Sequence, residues 1–198
     1  MAKYLITGIA GFIGSSLCHA LLDRGHSVRG IDNFSTGRRE NIAEVRHFID
    51  FREADLLDAN AMREACAGVD YVLHQAAIPS VPKSVADPFT SNRANVDGTV
   101  NLLIAARDAK VKRVVYAASS SAYGNQVALP KHEGMTPDPI SPYAVAKLAG
   151  ELYMKSFYSH ERHRPPSRLR RHRIWHSARS RREPLRRRAD ADPLPRRV

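Results

Sequence analysis

Three glycines at three-residue intervals, Gly8, Gly11 and Gly14, stand between an apolar run at residues 3–7 and an amphipathic stretch at 12–24. No other feature constrains the fold as much, because this spacing fits a strand that turns tightly into a helix. Gly8 permits the turn, Gly11 lets the main chain approach a pyrophosphate, and Gly14 lets the helix pack closely on the strand. The helix start offers the N–H groups of Phe12, Ile13 and Gly14, with a partial positive charge, to phosphate oxygens. Asp32 ends a second apolar run 18 residues after Gly14. A carboxylate there accepts hydrogen bonds from an adenosine ribose and repels a 2′-phosphate, which favours NAD over NADP. Arg38 and Arg39 lie close enough to leave NADP as an alternative.

Short apolar runs alternate with amphipathic stretches along the chain, the pattern of βα units around a buried parallel sheet. Strands are expected at 3–7, 27–32, 48–53, 70–74 and 113–118, and helices at 12–24, 59–67, 91–108 and 141–158. Gly25 and Gly68 fall where helices should stop. The expected fold class is α/β, a Rossmann doubly wound parallel sheet. At 43% hydrophobic residues the chain has material for a core. Cys18 and Cys66 form no Cys-x-x-Cys pair, no metal site is indicated, and Cys18 reads as a buried small hydrophobe. The start of the chain runs straight into a strand, and no apolar run approaches the ~20 residues a membrane span needs. The chain is expected to be cytoplasmic, with no membrane partner.

The formal charge of +11 is unevenly placed. Residues 161–198 hold 14 Arg, five Pro, four acids and neither Lys nor Gly, so nearly all the basicity lies there. Such a segment buries too little apolar surface to offset its ordering entropy and is expected to be disordered or poorly packed. Its Arg-, Pro- and Ala-rich composition also fits a GC-rich gene read out of frame. An Arg-rich arm can hold polyanions through counterion release. It carries no recognisable nucleic-acid motif and a single Trp, so no specific nucleic-acid partner is expected. A non-catalytic NAD-binding module is a third reading.

Ser141-Pro142-Tyr143-Ala144-Val145-Ala146-Lys147 suits a helix start, with Ser141 as N-cap and Pro142 in the first turn. Tyr143 and Lys147 then share one helical face. A phenol near pKa ~10 is a poor base at neutral pH, but a neighbouring ammonium, an oxidised nicotinamide and the helix N-terminus all stabilise phenolate. Tyr143 can thereby serve as a general base. Ser119, Ser120 and Ser121 stand where the fifth strand should end, and ligands bind beyond the carboxyl ends of strands in an open α/β sheet.

The Gly-x-x-Gly-x-x-Gly loop, the Ser119–Ser121 run and the Tyr143/Lys147 pair together resemble the extended short-chain dehydrogenase/reductases, the NAD-dependent epimerase/dehydratase family. Within it the segments 76–84, 95–99, 119–124, 129–131 and 141–147 resemble the UDP-sugar 4-epimerases of the UDP-N-acetylglucosamine/UDP-glucose type. The resemblance implies Ser119 as the catalytic hydroxyl, Tyr143 as the base, and Lys147 as the residue that contacts the nicotinamide ribose and lowers the Tyr143 pKa. It further implies cofactor contacts from Asp32 with Asn33, the adenine-side pair Asp55 and Leu56, the segment Gln75, Ala76 and Ala77, and Asn95. Ser80, with Ser119 to Ser121 and Tyr143, would face a UDP-sugar. Dehydratases of this scaffold typically carry Thr-Asp-Glu at 119–121, and these serines lack the carboxyl groups that removal of water needs.

The implied reaction is inversion at C4 of a UDP-hexose through a transient 4-keto sugar, with UDP-glucose/UDP-galactose or N-acetylated forms as substrate and NAD regenerated each turnover. A homodimer through helices near 91–108 and 141–158 is implied as well. The expected division is a NAD-binding Rossmann domain at 1–158 and an aberrant tail at 159–198. The nucleotide-sugar lobe that family members carry after the Tyr-x-x-x-Lys helix has no match here. The chain is therefore expected to bind NAD weakly and turn over poorly, with its fifth strand left at an open edge.

Overall fold

A computed structural model of the chain describes residues 1–127, 129–132 and 134–162. The Arg-rich segment expected to stay unpacked lies, from residue 163 on, outside the described residues. The core element is a five-stranded parallel sheet in the order β3-β2-β1-β4-β5, formed by β1 (Lys3–Thr7), β2 (Ser27–Asp32), β3 (Asp50–Glu53), β4 (Tyr71–His74) and β5 (Arg113–Tyr116). Register is fixed on both sides of the central strand, with Leu5 opposite Arg29 in β2 and Val72 in β4. This is the doubly wound arrangement the alternation of strands and helices predicts.

Successive residues of a strand face opposite sides, and β1 fills two cores this way. Leu5 packs with Ile31, Met62, Val72, Leu102 and Met154 on one face, while Ile6 packs with Ile9, Cys18, Val28 and Ile49 on the other. Helix α1 (Phe12–Leu22) lies against β1 and β2, and α2 (Ala59–Cys66) packs on α5 (Gly98–Asp108). Helices α3 (Val81–Ala86) and α4 (Pro88–Asn92) pack against α6 (Pro142–Arg162). Burial raises the Cys18 thiol to about 11, as a small hydrophobe in a core requires.

Two departures from the expected pattern bear on the site. The helix expected over 91–108 is interrupted: α4 gives way to a π-helical turn, Arg93–Asp97, before α5 begins. Such a turn inserts an extra residue and often marks a functional position. The fifth strand ends at Tyr116 rather than 118, and a 3-10 turn, Ser120–Tyr123, follows it. Within the described residues no helix is long and apolar enough to cross a membrane.

Arg29 is a buried cation inside β2. Its Nη1 donates to the carbonyls of Glu64, Ala65 and Ala67 at 3.0, 2.9 and 2.9 Å, and its Nε meets Asp50 Oδ2 at 2.6 Å. It therefore helps satisfy the carbonyls at the C-terminal end of α2, of which Glu64 also accepts from the Ala67 N–H at 3.3 Å, where the helix dipole favours positive charge.

Candidate active site

The glycine loop leaves β1 at Gly8, whose φ of +69° suits a residue without Cβ. A Cβ there would lie 2.7 Å from the main chain of Ala76, and one on Gly14 would strike the Gly8 carbonyl. Sterics thus explain both glycines before any ligand is invoked. Helices α2, α3, α4 and α6 begin with side-chain caps from Asp58, Ser80, Asp87 and Ser141. Helix α1 begins at Gly11, which has no side chain to cap with. Its first N–H groups are left to whatever anion lies against them.

These groups open on a groove of about 560 Å³, within the range of cofactor-sized sites. Every residue expected to touch the cofactor lines this groove except Asn95: Gly8, Gly11, Phe12, Ile13, Gly14, Asp32, Asn33, Asp55, Leu56, Gln75, Ala76, Ala77, Tyr143 and Lys147. Asn95 is buried behind the wall. Its amide accepts from the Ile78 N–H at 2.8 Å and donates to the Ile78 carbonyl at 3.3 Å, so it braces the chain that forms the groove floor.

At one end of the groove Asp32 is almost fully enclosed. Its Oδ2 accepts from the Ala10 N–H at 2.9 Å and its Oδ1 from the Phe34 N–H at 2.8 Å. A carboxylate has about four acceptor positions, so capacity remains for ribose hydroxyls. Asn33 donates to Asp55 Oδ2 at 2.7 Å, closing the same end. Arg39, considered above as a 2′-phosphate contact, is held instead by both oxygens of Glu53, at 2.9 and 3.0 Å, and lies 4.0 Å over the Phe34 ring.

The other end carries Tyr143 and Lys147. Ser141 Oγ accepts from the Ala144 N–H at 3.2 Å, and the Tyr143 N–H donates to Ser84 Oγ at 3.1 Å, so the start of α6 is fixed twice. Lys147 is 3% exposed, and its ammonium sits 4.2 Å over the ring of Tyr116. Burial pushes this lysine down to about 8, against the charge of Glu151, which raises it. Burial pushes the Tyr143 phenol above its ordinary value, and its hydrogen bond with Ser119 opposes that rise. The lowering expected from Lys147 is not among the causes at work in the protein alone. The lysine is aimed over Tyr116, and in the protein alone desolvation dominates at the phenol.

The serine run does not line the groove. Ser119 caps the 3-10 turn, accepting from the Ser121 N–H at 3.2 Å, and its hydroxyl meets Ser121 Oγ at 2.7 Å. Ser119 thus reaches the site through Tyr143, with Ser121 behind it, while Ser120 is exposed. Ser80 caps α3, with its Oγ 3.3 Å from the Lys83 N–H. The sequence did not single out Tyr116, the platform beneath Lys147, or Arg93 on the groove wall. The π-helical turn that presents Arg93 leaves no mark in hydrophobic periodicity.

Residues 4–163 match the NAD dependent epimerase/dehydratase family. The UDP-glucose 4-epimerase of Mycolicibacterium smegmatis is 44% identical over 159 residues, 78% of this chain and 51% of that protein. A UDP-N-acetylglucosamine 4-epimerase from Methanobrevibacter ruminantium, solved with UDP-N-acetylmuramic acid, superposes with a TM-score of 0.76 at 39% identity, covering 80% of this chain and 51% of the other. A Thermus thermophilus UDP-glucose 4-epimerase in complex with NAD gives a TM-score of 0.73 at 37% identity, over 80% and 51%. The chain spans about half the length of the curated relatives it matches.

Proposed function

The chain belongs to the NAD dependent epimerase/dehydratase family, and from that premise we propose that residues 1–158 are the NAD-binding and catalytic part of a UDP-hexose 4-epimerase. The observation that carries this reading is that Tyr143, whose pKa Ser119 lowers, and Lys147 line one groove together with Asp32 and the glycine loop. The residues fit NAD: uncapped N–H groups at α1 for the pyrophosphate, and acceptor capacity on Asp32 for the ribose. NAD, when bound, supplies reversible hydride acceptance and a cationic ring that favours phenolate. Tyr143 takes and returns the O4 proton of the sugar at its Oη, and Ser119 orients that oxygen. Lys147 supplies donors to the nicotinamide ribose from a site walled off from water by Tyr116. The turn at 119–121 offers hydroxyls and no carboxylate, which favours epimerisation over loss of water.

Identity of the hexose and turnover by these 198 residues belong to the proposal. So does a homodimer, supported by the exposed apolar residues Ile104 on α5 and Val145 and Leu152 on α6, and checked by sedimentation. The deciding assay gives the purified chain NAD together with UDP-glucose, UDP-galactose or their N-acetylated forms. Slow interconversion is expected, in keeping with the missing match to a nucleotide-sugar lobe, with Tyr143→Phe slower still by about 10²–10⁴-fold, the usual worth of a general base. NAD binding without any interconversion would leave only a cofactor-binding module and overturn the epimerase reading.

A further inference from the structure

His74, at the end of β4, is 1% exposed, yet both of its ring nitrogens are engaged. Nδ1 lies 2.6 Å from Thr7 Oγ1 and Nε2 lies 3.0 Å from Thr99 Oγ1. Thr99 Oγ1 is also 2.7 Å from the Asn95 carbonyl, and the Ala76 N–H is 3.3 Å from Thr7 Oγ1. The direction of this chain follows from its ends. A carbonyl only accepts, so the single hydroxyl proton of Thr99 goes to Asn95. Thr99 therefore accepts from Nε2–H. Neutral imidazole carries one N–H, so Nδ1 is bare and takes the proton of Thr7. The Thr7 oxygen is then free to accept from Ala76. Every donor and acceptor is used once, and one tautomer alone fits.

The bridge joins three parts of the groove wall. Thr7 immediately precedes the glycine loop, Ala76 begins the floor that Asn95 braces through Ile78, and Thr99 follows the π-helical turn that carries Arg93. His74 also faces the Tyr116 ring at 5.4 Å, and the Lys147 ammonium lies over that same ring. We propose that His74, as the neutral Nε2–H tautomer locked between Thr7 and Thr99, is a positioning residue that sets the spacing between the glycine loop and the floor of the NAD site. The proposal rests on the cofactor reading above and extends it to a residue that does not touch the cofactor. Protonation would break the bridge, because Nδ1–H and the Ala76 N–H would both claim Thr7 and leave its own proton without an acceptor. Burial, and then the charge of Lys147, push the imidazole down to about 3. The groups facing it are Thr7 from β1, Tyr116 from β5, Thr99 from α5 and Lys147 from α6.

Two measurements test this. Ring nitrogen NMR of the unaltered chain should show Nε2 protonated and Nδ1 bare, unchanged from pH 8 to pH 5. A protonated Nδ1, or an imidazolium at pH 6, would overturn the bridge whatever the chain binds. Isothermal titration with NAD should show Thr99→Val weakened about tenfold, since the hydroxyl that accepts from Nε2–H and donates to the Asn95 carbonyl is lost, and Thr99→Ser within about twofold of the unaltered chain. A folded Thr99→Val variant with a lowered melting temperature and unchanged NAD affinity would make the bridge merely structural and sink the positioning role. Failure of the unaltered chain to bind NAD would remove the cofactor reading itself, while the ring tautomer would still decide whether the bridge exists.

Discussion

The two ends of the groove are built on opposite principles. At the end expected to take the adenosine, Asp32, Asn33 and Asp55 are held in place by neighbouring main chain and by one another, with acceptor capacity left on Asp32. At the nicotinamide end, Lys147 and Tyr143 are buried where desolvation disfavours their charged forms. The first end is positioned by the fold; the second stores groups displaced from their ordinary proton affinities, as reactive sites do. Strand β1 separates them, so the sheet isolates the part that stabilises from the part that reacts.

The comparison breaks most readily at the loop between the two ends. Gly14→Ala places a Cβ against the Gly8 carbonyl and 2.8 Å from Ile9 Cα, forcing α1 away from the strand. Strain of this kind costs about 1–3 kcal/mol, so NAD affinity should fall about 10–100-fold by calorimetric titration. Unchanged affinity would show that α1 does not hold the cofactor. Arg29→Met acts beneath the adenosine end, outside the groove. It strips a buried partner from the carbonyls of Glu64, Ala65 and Ala67 and from Asp50, and should lower unfolding free energy by about 2–4 kcal/mol in urea denaturation. NAD affinity measured where the variant is folded should stay within about twofold. A large loss of affinity would mean the two roles are not separated.

The smallest effect is electrostatic and belongs to the nicotinamide end. The folded pKa of Lys147, about 8, lies below the model-peptide value of about 10.4. Between these values the unfolded chain binds more protons, so this lysine makes stability rise with pH across that window and fall as pH drops toward 8. Lys147→Met should lack that rise. Denaturation of both forms from pH 7 to 10 gives the difference, and parallel curves would show the ammonium to be solvated.

Legibility in the sequence followed the same division. Strands at 3–7 and 27–32, the glycine loop and Asp32 were readable because strand alternation, turn sterics and helix-terminus chemistry act over neighbouring residues. The observed β1 and β2 have those bounds. Strand β3 starts at Asp50 rather than 48, because Arg46–Phe48 form a 3-10 turn. Helix α3, only six residues long, was too short to show a helical period and was missed. Arg29 carried no local signal as a buried cation, since its partners lie 21 to 38 positions away. The pairing of Tyr143 with Lys147 was legible from helical spacing, whereas the aim of Lys147 over Tyr116 depends on the packing of α6 on the sheet. The His74 bridge was likewise invisible, since its polarity is dictated by main-chain groups from separate elements.

The central claim is that the fold of these residues is already a NAD site that selects against a 2′-phosphate. Calorimetric titration of the purified chain with NAD and then NADP tests it most directly. Saturable one-to-one binding of NAD is expected, with NADP weaker by at least about tenfold because its added phosphate meets the Asp32 carboxylate. No saturable binding, or equal affinity for the two dinucleotides, would contradict the account.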